Sequence, residues 1–287
     1  MTTKYDYEQE ELKRLEREGV ALAYHYIRGL NTKQSPLVFV HGWAGSGEDW
    51  RKVVARYVAR GESVLVYDAA GFGQSQFESE TMANWADYSL SRYVQDLKAL
   101  LDAEGIERVR LVGHSWGGVV AMSFAARYPE RVEALVPIGS AYFDPEKLLH
   151  QVLRWVSYLI GWILIFLKPL LRRSPRLQRL AVRRYLYRPL DEADTAIMVN
   201  GVLQSHNRAI VQTLLEGYEV RFKKLCPTIQ CPTLYIGSDH DAVAPVLYVT
   251  AFVPFTPHAK SATIKKCGHF PMIERPDELI AVMDGFF

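Results

Sequence analysis

Cysteine is scarce in this chain: three residues in 287, Cys226, Cys231 and Cys267, an odd number without the paired spacing of a zinc site. Reduced thiols in a cytoplasmic protein are the expectation, with neither a disulfide framework nor a metal. Nor is a secretory leader expected, since the opening MTTKYDYEQEELKRLEREG is too charged for an apolar stretch and reads as a solvated helix. The glycines form no dinucleotide fingerprint, so no cofactor is expected. Net charge is small: 34 basic against 32 acidic residues leave a formal +2, which gives no reason to expect a nucleic-acid partner. Long apolar runs are absent as well. Trp155 to Leu167 is uncharged for thirteen residues, short of the roughly 18 that suggest a membrane span. Lys168-Pro169 is expected to end that helix.

What is present is an ordinary globular composition, 49% hydrophobic, with strand-like and helix-like segments in alternation. Strands are expected at Val20 to Ile27, Leu37 to His41, Ser63 to Asp68, Val109 to Val112, Ala134 to Ile138, Thr233 to Gly237 and Ala262 to Lys266. The clearest helices are Trp85 to Glu104, Val119 to Tyr128 and Pro276 to Phe286. This rhythm predicts an α/β fold with a mostly parallel central sheet flanked by helices. The first two strands, joined by GLNTKQSP, are read as an antiparallel pair at one edge. Residues 142–222 break the rhythm with helical patterns and no convincing strand, so they are read as an inserted helical cap on a core of 1–141 and 223–287. Two cap helices are signalled by an N-cap residue followed by proline, Asp144-Pro145 and Ser174-Pro175.

The chemistry concentrates at LVGHSWGGVVAM, residues 111–122, where Gly113, Ser115 and Gly117 spell G-x-S-x-G between an apolar strand and a helix. Glycines at those spacings let two chain segments pass closely while the serine sits on a strained turn. A serine hydroxyl needs a base in hydrogen-bond reach and a carboxylate that fixes the base's tautomer. Two later strands end in turns that can supply them, YIGSDHDAVAP with Asp239 and Asp241, and KKCGHFPMIERPDEL with His269. In an open parallel sheet such strand ends converge.

FVHGWAGSGEDW, YDAAGFGQS, LVGHSWGG, GSDHDAVAP and CGHFPMIERPDEL, in that order, resemble the recurring segments of the α/β-hydrolase superfamily over nearly the whole length. The resemblance implies Ser115 as nucleophile, His269 as general base and then acid, and Asp241 as the orienting carboxylate, because a proline follows it four residues on. Asp239 is the second candidate and Asp144 the third. It also implies an oxyanion hole from the backbone N–H groups of Trp116 and Trp43, whose indoles are expected to wall the acyl pocket. The other polar residues near these segments have blander readings: His41, His114 and Asp68 as loop anchors, His240 as an exposed side chain, Cys267 as a small buried hydrophobe. Dehalogenases and epoxide hydrolases of the superfamily carry aspartate at the elbow, so the serine disfavours those chemistries.

From Lys147 to Leu190 there are ten lysines and arginines and no acid. An apolar, aromatic helix with a narrow polar stripe (Gln151, Arg154, Ser157, Gly161) precedes a basic one that aligns Arg172, Arg176, Arg179 and Arg183. Two readings fit: peripheral docking on anionic lipid headgroups, or an apolar helix packed over the catalytic cleft with its arginines solvated or paired elsewhere. Either way a hydrophobic substrate is expected. The function expected is that of a serine esterase or lipase acting on esters with an apolar, medium or long acyl group, monoacylglycerol-like among them, through an acyl-enzyme. The alternatives are a carbon–carbon bond hydrolase, an aminopeptidase resembling proline iminopeptidase and, outside catalysis, a ligand-binding member of the superfamily.

Overall fold

The structure is a computed structural model that describes residues 11–31, 34–77 and 88–287. Its first half runs β1 (Lys13–Arg17), β2 (Val20–Ile27), β3 (Leu37–Val40), α1 (Arg51–Ala59), β4 (Val64–Tyr67), α2 (Leu90–Ala103), β5 (Val109–His114), α3 (Trp116–Arg127) and β6 (Val132–Ile138). The helices α4 (Leu148–Arg173), α5 (Pro175–Arg183), α6 (Glu192–Gln204), α7 (Asn207–Glu219) and α8 (Phe222–Leu225) follow. The chain closes with β7 (Thr233–Ser238), α9 (Val246–Thr250), β8 (Ala259–Ile264), α10 (Pro271–Glu274) and α11 (Pro276–Asp284).

The eight strands form one sheet in the order β1-β2-β4-β3-β5-β6-β7-β8, parallel except where β2 meets β1 and β4. Its central strands are buried on both faces, which is why LVFV and VLVY read as unbroken apolar runs. Alternate residues still serve opposite layers. Val38, Val40, Leu65 and Leu111 pack with Leu97 and Leu101 of α2 and Met122 and Phe124 of α3. Phe39, Val64, Val66 and Val112 pack on the other side with Trp50, Val53 and Tyr57, and with Leu279 and Met283 of α11.

Several expectations need correction. The charged opening is not helical over its described part, because residues 13–17 form the edge strand β1. A hairpin through Glu18 (φ 48°) and Gly19 (φ 81°) returns it to β2. Arg17 pairs with Asp96 of α2 at 2.8 Å and Lys13 with Glu104, so this edge's charges are tied to the fold. The antiparallel partners of β2 are β1 and β4; β3 lies one strand further in, where its four buried residues gain parallel neighbours on both sides. The expected helix from Trp85 begins at Leu90, with Ser89 accepting from Arg92 N, and Trp85 itself lies outside the described residues. The helix after the elbow starts at Trp116, three residues earlier than expected.

Between β6 and β7 the chain is helical. Ser174 caps α5 through Leu177 N, with Pro175 at the first helical position. Asp144 does not cap α4. It holds a turn through Glu146 N and pairs with Lys223, and the helix begins at Leu148. Nor does Pro169 end α4, which continues to Arg173 and leaves Arg172 on this helix, not on α5. A proline removes one ladder donor, and here its neighbour Lys168 is anchored outside the helix. Lys168 is buried and bonds both Ser205 O and Asn207 Oδ1, fixing that turn of α4 against the α6–α7 connection.

Candidate active site

Strand β5 ends at His114, α3 begins at Trp116, and Ser115 alone makes the corner, with φ 51° and ψ −116°. A non-glycine residue there carries about 1–3 kcal/mol of strain that its surroundings must hold. They do so by hydrogen bonds: Ser115 N donates to Ile138 O at 2.7 Å, and Ser115 O accepts from Ser140 Oγ at 2.9 Å. The flanking glycines are obligatory for packing. A Cβ on Gly113 would lie 2.3 Å from Gly117 O, and one on Gly117 would lie 2.3 Å from His41 O.

Among the three carboxylates that sequence left open, the structure brings Asp241 to the histidine. Asp241 Oδ2 is 2.7 Å from His269 Nδ1, and Oδ1 accepts from the N–H groups of Val243 and Ala244 at 2.8 Å each. Burial pushes this carboxyl up, but the His269 ring and those N–H groups outweigh it and hold its pKa below the ordinary value. Asp241 is therefore an ionised acceptor that fixes the ring with Nδ1 as donor. Asp239 does a different job, binding His240 Nδ1 and the backbone N–H of Cys267. Burial works against its ionisation, yet those bonds bring it down to about 2. Asp144 pairs instead with Lys223.

The His269 loop sits over the elbow. The rings of His114 and His269 are 4.7 Å apart between centroids, and a Cβ on Gly139, next to Ser140, would lie 3.3 Å from His269 Cε1. Nδ1 belongs to Asp241, which leaves Nε2 as the nitrogen open to a hydroxyl. Among the described residues, no hydrogen bond joins Ser115 Oγ to His269 in this structure. Gly42 passes beside the serine, so close that a Cβ on it would be 3.3 Å from Ser115 Cβ, and Trp43 follows. Among the described residues the backbone N–H groups of Trp43 and Trp116 have no protein acceptor. The indoles face α7: Trp43 Nε1 donates to Ile210 O at 2.8 Å, and the Trp116 ring lies against Gly217.

The neighbouring histidines are structural and neutral. His41 Nδ1 donates to Gly42 O while its Nε2 accepts from Ala69 N, and burial depresses its pKa. His114 Nε2 donates to His269 O at 2.8 Å, and burial pushes it down to about 3. Asp68 accepts from Gly47 N and Gln74 N, a loop anchor. The Cys267 thiol is buried and raised to about 12, too high for a nucleophile. Two supporting residues escape sequence reasoning. Ser140 grips the elbow's carbonyl, and Glu274 bonds both Gly268 N, beside His269, and Tyr187 N, just beyond α5. Ser140 has no motif to betray it; Glu274 could have been suspected as a lone acid inside the apolar PMIERP. Cavities of about 160 and 540 Å3 are present, and Ser115 lines neither.

Residues 35–276 match the model of the alpha/beta hydrolase fold. Bifunctional epoxide hydrolase 2 of Sus scrofa is 24% identical over 85% of this chain, which spans about half of that protein (49%). The 2-hydroxy-6-oxononadienedioate/2-hydroxy-6-oxononatrienedioate hydrolase of a Pseudomonas species is 25% identical, covering 94% of this chain and 93% of its own. A solved membrane phospholipase A, a bacterial virulence factor, superposes with a TM-score of 0.75 at 25% identity over 96% of this chain and 85% of its own. With its doubly covered sheet and its match across most of its length, the chain belongs to the α/β-hydrolase family.

Proposed function

We propose that the protein is a serine hydrolase of carboxylic esters with an apolar acyl group, working through an acyl-enzyme on Ser115. The observation that carries this is the strained Ser115 corner beside a buried, hydrogen-bonded Asp241–His269 pair and two unclaimed backbone N–H groups. His269 Nε2 takes the hydroxyl proton as Ser115 Oγ attacks the ester carbonyl, and Asp241 stabilises the imidazolium. The N–H groups of Trp43 and Trp116 receive the oxyanion. His269 then protonates the departing alcohol and afterwards activates the water that releases the acid. The indoles of the two donor residues, backed by α7, support an apolar acyl group, and the similarity to a phospholipase A supports a lipid ester.

The serine separates this reading from epoxide chemistry that uses a carboxylate nucleophile, despite the similarity to an epoxide hydrolase. A fluorophosphonate probe should label Ser115, and p-nitrophenyl esters should be cleaved faster as the acyl chain lengthens beyond acetyl. An unlabelled serine would remove the mechanism; labelling with an acetyl preference would remove only the apolar acyl group.

A further inference from the structure

Helix α4 is amphipathic the wrong way round for a soluble protein. A stripe of its polar and small residues faces inward: Ser157 Oγ meets Tyr218 OH at 2.8 Å, Arg154 pairs with Glu219, Gly161 lies against Val211 and Leu214, and Lys168 is buried on Ser205 O. Its outward face, spaced by three and four residues, is Val152, Trp155, Leu159, Ile163, Phe166 and Leu170, with Trp155 67% and Phe166 77% exposed. Helix periodicity then makes this one continuous stripe rather than scattered exposure. Its mean hydropathy reaches 1.4 across the best window, of which only 11% is buried. A contiguous apolar patch of this extent marks a contact surface.

We infer that α4 and α5 dock this protein on an anionic lipid surface, the α4 stripe entering the acyl boundary while arginines meet the headgroup phosphates. The charge chooses the occupant. Arg172, Arg173, Arg176, Arg179, Arg183 and Arg184 continue directly from the stripe, all are exposed, and none forms an ion pair among the described residues. A second copy docking through the same face would bring its own Lys147–Leu190, which contains no acid, so such a symmetric dimer would leave those guanidiniums unpaired. Anionic headgroups pair them all.

The helix lies along the bilayer and does not cross it. Strand β6 precedes α4 and β7 follows it, and the two are hydrogen-bonded neighbours in one sheet. A single crossing would place them on opposite sides. The docked face also reaches the candidate site: α5 leads to Tyr185, whose carbonyl accepts from His269 N at 2.7 Å.

Co-sedimentation of the full chain with vesicles tests the surface without any substrate, so it stands or falls apart from the esterase reading. Phosphatidylcholine vesicles with and without an equal share of phosphatidylserine are compared. The protein should pellet with the anionic vesicles and be released by high salt, since exposed charges are screened. Replacing Arg176, Arg179 and Arg183 by Gln should weaken partitioning about a hundredfold, near fivefold per arginine. Trp155→Asp with Phe166→Asp should abolish it, while circular dichroism and a monomeric elution volume stay those of the wild type. Failure to pellet with anionic vesicles, equal pelleting with zwitterionic ones, or a dimer that the aspartates dissociate would each overturn the proposal.

Discussion

The elbow and helix α4 both break the rule that polar groups face water and apolar groups avoid it, and they break it in opposite directions. Around Ser115 the chain buries Asp241, His269, His114 and Asp68, and each finds a hydrogen-bond partner. Along α4 it exposes leucines, a tryptophan and a phenylalanine, with no partner among the described residues to cover them. Buried polar groups are kept only when paired, and exposed apolar stripes only when something apolar arrives. The first region therefore finds nearly all its partners within the isolated chain, His114 Nδ1 and Trp116 Nε1 excepted. The second leaves a whole face uncovered.

If the elbow finds its partners within the chain, removing one member should disable it with little structural change. Asp241→Asn keeps the shape and the two accepted N–H bonds to Oδ1 but no longer enforces the Nδ1–H tautomer. We expect kcat for a p-nitrophenyl ester to fall about ten-thousandfold, whereas Asp239→Asn, which touches His240 and the Cys267 backbone but not His269, should retain most of it. Equal losses in the two variants, measured by stopped-flow turnover, would break the contrast between the carboxylates.

A second test concerns a charge the core holds less comfortably. Asp49, in the turn before α1, is buried, and burial pushes its carboxyl up to about 7. A raised carboxyl pKa means the folded state binds a proton the unfolded chain has lost. Stability is therefore full below the unfolded value and declines as pH rises towards the folded one. The wild type should show a lower urea midpoint at about pH 8 than at about pH 5, and Asp49→Asn should remove most of that difference. An unchanged pH slope in the variant would place the dependence elsewhere.

Much of the fold was legible because it rests on local periodicity. Val20–Ile27 alternates, LVFV and VLVY run apolar, and the structure places strands there. Errors arose where tertiary contacts overrode a local rule. Proline usually closes a helix, yet α4 runs on past Pro169 because the turn is held by Lys168. KRLER has no strand signal of its own and becomes one by pairing with β2. At the site, the residue types and their order were readable, and the proline after Asp241 favoured it over Asp239, only two residues away. Ser140 and Glu274 act through backbone groups far away in sequence, which no motif records.

The direction in which α4 faces was equally illegible: periodicity reveals two sides of a helix without saying which is turned inward. The same residue type in both regions measures that difference. Leu111 in β5 is wholly buried, whereas Leu159 in α4 is 59% exposed. Leu111→Ala should therefore destabilise the protein by about 2–5 kcal/mol, through lost transfer energy and a cavity that cannot collapse. Leu159→Ala should change the urea-derived stability by no more than about 0.5 kcal/mol, and alanine's helix propensity even favours it. A large loss at Leu159 in dilute buffer would mean that the stripe is covered within the chain itself, and the contrast with the elbow would vanish. A negligible loss in buffer, with weakened pelleting on anionic vesicles, would show that this leucine is kept for a surface and not for the fold.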